Sequence, residues 1–114
     1  MDASNPSRHL LCNTADVAEG TITEGYLPDL QRVAIYRVAG KFYVTDDLCT
    51  HGAASLVDEG TLEGCTVQCA WHSGSFDITT GEATASPCSE PLRTYPVEVD
   101  GGALFVRLAG PESA

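Results

Sequence analysis

Two short stretches of the chain each bring a thiol and an imidazole close together. Asp47-Leu48-Cys49-Thr50-His51-Gly52 holds the first pair, and Cys69-Ala70-Trp71-His72-Ser73-Gly74 holds the second. A thiolate is a soft anionic donor and an imidazole a neutral one, and the two together suit a transition metal. Structural zinc accepts this mixture, but its paired ligands usually stand about two to four residues apart. Cys49 and His51 have only Thr50 between them. On an extended stretch such residues point to the same side, so their donor atoms are spread along the chain. That spread suits two neighbouring metal ions better than one tetrahedral ion.

Ligands of this kind need loops carried by a rigid scaffold. The flanking sequence offers one, and its pattern is almost all β. Residues 31–38 (QRVAIYRV) are rich in β-branched and aromatic side chains, Ala39-Gly40 offers a turn, and residues 41–46 return, which predicts a hairpin. Residues 92–99 and 103–108 flank Asp100-Gly101-Gly102 and predict a second. Residues 21–27 and 9–12 read as further strands, and residues 15–20 as no more than a helical turn. Glycines and prolines crowd residues 47–91, where short strands fit at 65–69, 75–78 and 82–86. The reading is a single domain over residues 1–114, an antiparallel sandwich or barrel with a loop-rich unit inserted at about 47–91. Both Cys/His pairs fall in that unit.

Composition narrows the function. The chain has 114 residues, 43% of them apolar and 19% charged, as expected of a folded domain. Sixteen acidic and six basic side chains give a net charge of -10, which argues against nucleic acid or anionic lipid as a partner. The first residues lack the apolar core of a targeting segment, and no apolar run reaches the ~20 residues that span a bilayer. A soluble cytoplasmic protein is expected. Cysteines stand at 12, 49, 65, 69 and 88, an odd number that favours metal ligation or buried thiols over a disulfide framework. Cys65 shares strand parity with Val67 and Cys69, so it and Cys12 read as core thiols. His9 reads as a solvated terminal residue.

Cys49-x-His51, then 17 residues, then Cys69-x-x-His72 resembles the Rieske [2Fe–2S] motif at every ligand and in the intervening length. The flanking hairpins resemble the base domain of that family. Residues 85–91 (ASPCSEP) resemble its proline-containing loop over the cluster, with Cys88 a small buried residue and Pro87 and Pro91 as stiffeners. The likeness covers about residues 9 to 108. It implies one [2Fe–2S] cluster, with Cys49 and Cys69 on the inner iron and His51 and His72 on the outer one. Neutral imidazoles in place of two thiolates ease reduction and raise the potential. Imidazole deprotonation should lower it again at high pH. Gly52 and Gly74 are expected to serve the ligand loops, through unusual backbone angles or a close approach to sulfur.

High-potential members of the family carry a second cysteine pair, which would fall at Ala53 or Ala54 and at Trp71. They also carry a serine and a tyrosine where Gly74 and Phe76 stand, and those hydroxyls stabilise the reduced cluster. The expectation is a low-potential centre, as in the ferredoxin of a bacterial aromatic ring-hydroxylating dioxygenase system. The chain has three histidines; two serve the motif and His9 alone remains, so no facial triad for oxygenase chemistry can be built. The resemblance therefore implies a monomeric electron carrier, not a catalyst. Its partners would be an FAD-containing, NADH- or NADPH-dependent ferredoxin reductase and a terminal oxygenase. Tight residence in a toluene-monooxygenase-type or nitrite-reductase-like complex is the alternative. Docking is expected at an apolar rim that includes Trp71 and Pro87. Asp46, Asp47, Asp58, Glu59, Glu63, Glu82 and Glu90 would supply an acidic field around it.

Overall fold

The computed structural model describes residues 8–48, 55–69, 74–85 and 91–107. The strands are β1 (Arg8–Asn13), β2 (Ile22–Tyr26), β3 (Arg32–Val38), β4 (Lys41–Asp46), β5 (Thr61–Glu63) and β6 (Thr66–Gln68). They continue with β7 (Ser75–Asp77), β8 (Ala83–Ala85), β9 (Thr94–Tyr95), β10 (Val97–Asp100) and β11 (Ala103–Arg107). One short helix, α1 (Leu56–Glu59), follows the first Cys/His stretch, and a 3-10 turn covers Thr14–Asp16. Among the described residues the strands form three antiparallel sheets, ordered β1-β11-β10, β2-β3-β4-β9 and β5-β6-β7-β8.

β3 explains how the sheets stack. Val33, Ala34, Ile35 and Tyr36 are all fully buried, so this strand has no solvent face. Successive side chains of a strand point to opposite faces. Val33 and Ile35 accordingly join a core with Val17, Val44, Tyr95, Leu104 and Val106, shared by the first two sheets. Ala34 and Tyr36 join a second core with Leu56, Val67, Cys69, Phe76, Ile78 and Leu92, shared with the third sheet. The near-continuous apolar run in the sequence is the signature of such two-sided burial. The Tyr36 hydroxyl stays satisfied inside the core: Thr45 Oγ1 lies 2.8 Å away and itself donates to the Asp46 carbonyl. Burial pushes the Tyr36 phenol well above its ordinary range.

Turn chemistry sets the hairpins. Ala39 (φ 54°) and Gly40 (φ 79°) link β3 to β4, and both are left-handed, as a two-residue turn matching strand twist requires. The left-handed form is unfavourable for alanine. Glu19 compensates by accepting the N–H groups of Ala39 (2.6 Å) and Gly40 (3.0 Å), which holds its own carboxyl below the usual range. The strand expected over 92–99 is split at Pro96. β9 pairs with β4, and β10 leaves to pair with β11, so one chain segment serves two sheets. Proline has no N–H for a ladder and marks the corner; its carbonyl accepts Arg107 N at 2.9 Å.

Several expectations need correction. Cys65 is exposed, because it sits with Gly64 in the turn between β5 and β6, beyond the ladder where strand parity applies. His9 lies inside β1, half-buried, with Nε2 3.0 Å from the Tyr26 carbonyl oxygen. Cys12 is partly buried against the first core, and desolvation pushes its thiol up. α1 and β5 replace what had read as loop. The missed signal for α1 is Ser55-x-x-Asp58, a helix-start pattern in which Ser55 Oγ accepts Asp58 N at 3.1 Å.

Gly81 (φ +85°) stitches the turn before β8 to the segment leading into β9. Its N–H donates to Asp77 and its carbonyl accepts Leu92 N at 2.7 Å. A Cβ here would collide with the Leu92 carbonyl oxygen, on a backbone conformation that disfavours any side chain. Gly81→Ala is expected to destabilise the fold by at least about 1 kcal/mol, read as a lower denaturation midpoint at equal cofactor loading. An unchanged midpoint would contradict this packing.

Candidate metal centre

The two Cys/His stretches lie between stems that the structure describes. The first leaves β4 through Asp47 and Leu48 and returns at Ser55. Leu48 and Ser55 form an antiparallel bridge, and the Leu56 N–H donates to the Asp47 carbonyl at 2.8 Å. Such pairing holds facing residues about 4.5–5.5 Å apart, so the described ends of this stretch, Leu48 and Ser55, form a closed base. The Asp47 side chain reinforces it: Oδ1 accepts Ser55 Oγ at 2.9 Å and Val57 N at 2.8 Å. The sequence places Asp47 in a surface field, yet it is only 3% exposed, because Oδ1 is taken up by the stem and Oδ2 faces Arg32.

The second stretch leaves β6 at Cys69 and returns at Gly74. Cys69 N donates to the Gly74 carbonyl at 2.7 Å, one pair beyond the ladder of Gln68 with Ser75. Segment 86–90, which holds Cys88, leaves β8 and returns just before Leu92. The three stems meet in one place, since Leu56, Cys69 and Leu92 belong to the same buried cluster with Phe76, Val67 and Tyr36.

Of the four sequence-predicted ligands, Cys69 is described, and Cys49, His51 and His72 lie outside the described residues, as do Gly52, Trp71, Pro87 and Cys88. Cys69 is 1% exposed. A thiolate in apolar surroundings needs a compensating cation, so its position fits a ligand to an iron turned away from solvent. The residues near it also fit the low-potential expectation. Phe76 is fully buried and carries no hydroxyl. Ser75 Oγ is paired with Thr84 Oγ1 at 2.6 Å, within the third sheet.

Charge around the first stem is organised by Arg32. Its guanidinium reaches Glu24 at 2.8 Å and Asp58 at 3.1 and 3.2 Å, and it stands 3.8 Å from Asp47 Oδ2. The hydrogen bond to Arg32 holds the Asp58 carboxyl below its usual range, and the same contact pushes the guanidinium up. Asp46 faces elsewhere, accepting Tyr95 Oη at 2.6 Å and Gln31 Nε2 at 2.8 Å. Glu59, Glu63 and Glu82 are exposed, and Glu90 lies outside the described residues. Leu48, directly before Cys49, is 55% exposed.

Known proteins resemble this chain in sequence and fold. The Rieske [2Fe–2S] domain family matches residues 7–96. The ferredoxin component of the p-cumate 2,3-dioxygenase system of Pseudomonas putida is 55% identical over 96 residues, covering 84% of this chain and 81% of that protein. The solved ferredoxin of Sphingomonas yanoikuyae B1 is 42% identical with a TM-score of 0.83, covering 89% of this chain and 98% of that one. A chain from a solved complex of reduced oxygenase and oxidized ferredoxin in carbazole 1,9a-dioxygenase is 41% identical with a TM-score of 0.82. It covers 90% of this chain and 94% of that one. With the family matched over residues 7–96, the chain belongs to the Rieske family and its cofactor is one [2Fe–2S] cluster.

Proposed function

We propose that this chain is a one-electron carrier, taking electrons from an FAD-containing, NAD(P)H-dependent ferredoxin reductase and delivering them to the terminal oxygenase of an aromatic ring-hydroxylating dioxygenase system. One observation carries the reading. Three loop stems converge on a single buried cluster that contains Cys69, in a chain matching ferredoxins over 81% and 98% of their lengths. The cluster supplies a one-electron redox centre. The residues supply its holder: Cys49 and Cys69 bind the inner iron, and His51 and His72 the outer one, within a unit spanning about residues 47–91 of one Rieske domain over residues 1–114.

The ferredoxin named in the carbazole dioxygenase complex is bound to an oxygenase, which supports the same class of partner here. Leu48 adds to the expected apolar rim, while the sequence-chosen Trp71 and Pro87 lie outside the described residues. A net charge of -10 steers the carrier toward basic docking faces. Shuttling needs a small, transient contact, under about 1,200 Å². We read the chain as a cytoplasmic, monomeric shuttle; no helix among the described residues is long and apolar enough to cross a membrane.

Three outcomes are expected. Reductase and NAD(P)H should reduce the protein by one electron, and the oxygenase should reoxidise it through weak, reversible binding. Failure of both half-reactions would remove the carrier role. Voltammetry near neutral pH should return a potential in the lower part of the span of about -150 to +300 mV known for such centres. A value above about +100 mV would contradict the low-potential reading drawn from Ala53, Trp71, Gly74 and Phe76. Finally, His51→Cys or His72→Cys should lower the potential by adding anionic charge wherever the cluster still assembles. An unmoved potential would show the ligand assignment to be wrong.

A further inference from the structure

We propose that Asp47 is the positioning residue of the segment carrying Cys49 and His51, with Arg32 as its countercharge. The inference rests on the ligand reading above and adds a residue outside the motif. A carboxylate only 3% exposed is costly to bury unless it is paired and hydrogen-bonded. Asp47 is both. It sits on the strand side of the segment, and its partners Ser55, Leu56 and Val57 all lie on the helix side. One residue thus closes the base three times: Oδ1 to Ser55 Oγ, Oδ1 to Val57 N, and the backbone carbonyl to Leu56 N.

The two carboxylate oxygens have different duties. Oδ1 holds the stem through hydrogen bonds. Oδ2 faces Arg32 across 3.8 Å, a charge contact beyond hydrogen-bond reach. Arg32 is itself fixed by Glu24 and Asp58, and Ser55 Oγ lies 3.5 Å from its Nη1. Three acids therefore share one guanidinium beside the segment, leaving the group net negative. Positioning through hydrogen bonds and tuning through charge are separable here. Asparagine keeps an oxygen for Ser55 and Val57 but loses the charge, whereas alanine loses both.

The test compares Asp47→Asn, Asp47→Ala and Ser55→Ala in the holoprotein, by iron and sulfide content, iron loss to a chelator, the spectrum of the reduced protein, and the potential. Asp47→Asn should keep full iron and the parent spectrum, and its potential should move upward because negative charge has been removed. Asp47→Ala should lose iron to the chelator about tenfold faster, the lower end of the usual effect of removing a group that orients metal-binding residues, with a broadened spectrum. Should Asp47→Ala fail to fold, Ser55→Ala decides, and faster iron loss there than in Asp47→Asn supports the proposal. Parent-like iron retention and spectrum in Asp47→Ala would overturn it, as would an unmoved potential in Asp47→Asn. Parent protein that holds no [2Fe–2S] cluster would instead overturn the ligand reading and leave the hydrogen-bonded stem as a structural feature only.

Discussion

Two-sided burial of β3 is the constraint on which the rest of the molecule depends. A strand with no solvent face must be covered by a separate layer on each side. Val33 and Ile35 face the layer formed by β1, β11 and β10; Ala34 and Tyr36 face the β5–β8 sheet. The second core is therefore not an appendage to the first. It shares a backbone with it, and Cys69 is one of its members. A redox centre that must hold its geometry through electron gain and loss benefits from ligands on loops whose bases are locked into such a core.

The charges follow a comparable division. The carboxylates near the first Cys/His stretch differ by burial and partner. Asp47 is sequestered in the stem, Asp46 is tied to Tyr95 and Gln31, and Asp58 is held by Arg32 at the surface. Only the exposed members of the acidic set, among them Glu59, Glu63 and Glu82, project a field into solvent. A surface of this sign speeds encounter with basic partners more than it adds to binding strength, and salt screens it. That suits a carrier that must leave as readily as it arrives.

Much of this was legible in the residues, for identifiable reasons. Hairpins at Ala39-Gly40 and Gly101-Gly102 were readable because left-handed turns demand particular residue types. The ligand motif was readable because its spacing is set by metal chemistry and not by surrounding packing. The misreadings are equally physical. Strand parity points Cys65 to the core, but parity stops at a turn. Residue type groups Asp47 with the surface acids, although three donors converge on it once β4 and α1 meet. Pro96 hid a change of sheet inside what reads as one strand. Ser55-x-x-Asp58 was a usable helix signal that the surrounding glycines obscured. Cys49, His51 and His72 lie outside the described residues, so their roles rest on the motif and on the stems that frame it.

Two thiolates and two imidazoles from these loops are proposed to share one core of two irons bridged by two inorganic sulfides. Its most direct test is the reduced holoprotein labelled with nitrogen-15 at histidine, studied by electron–nuclear resonance alongside iron and acid-labile sulfide analysis. The account predicts two irons, two sulfides and couplings from two distinct histidine nitrogens. A colourless protein with stoichiometric zinc, or a cluster with no histidine coupling, would contradict it.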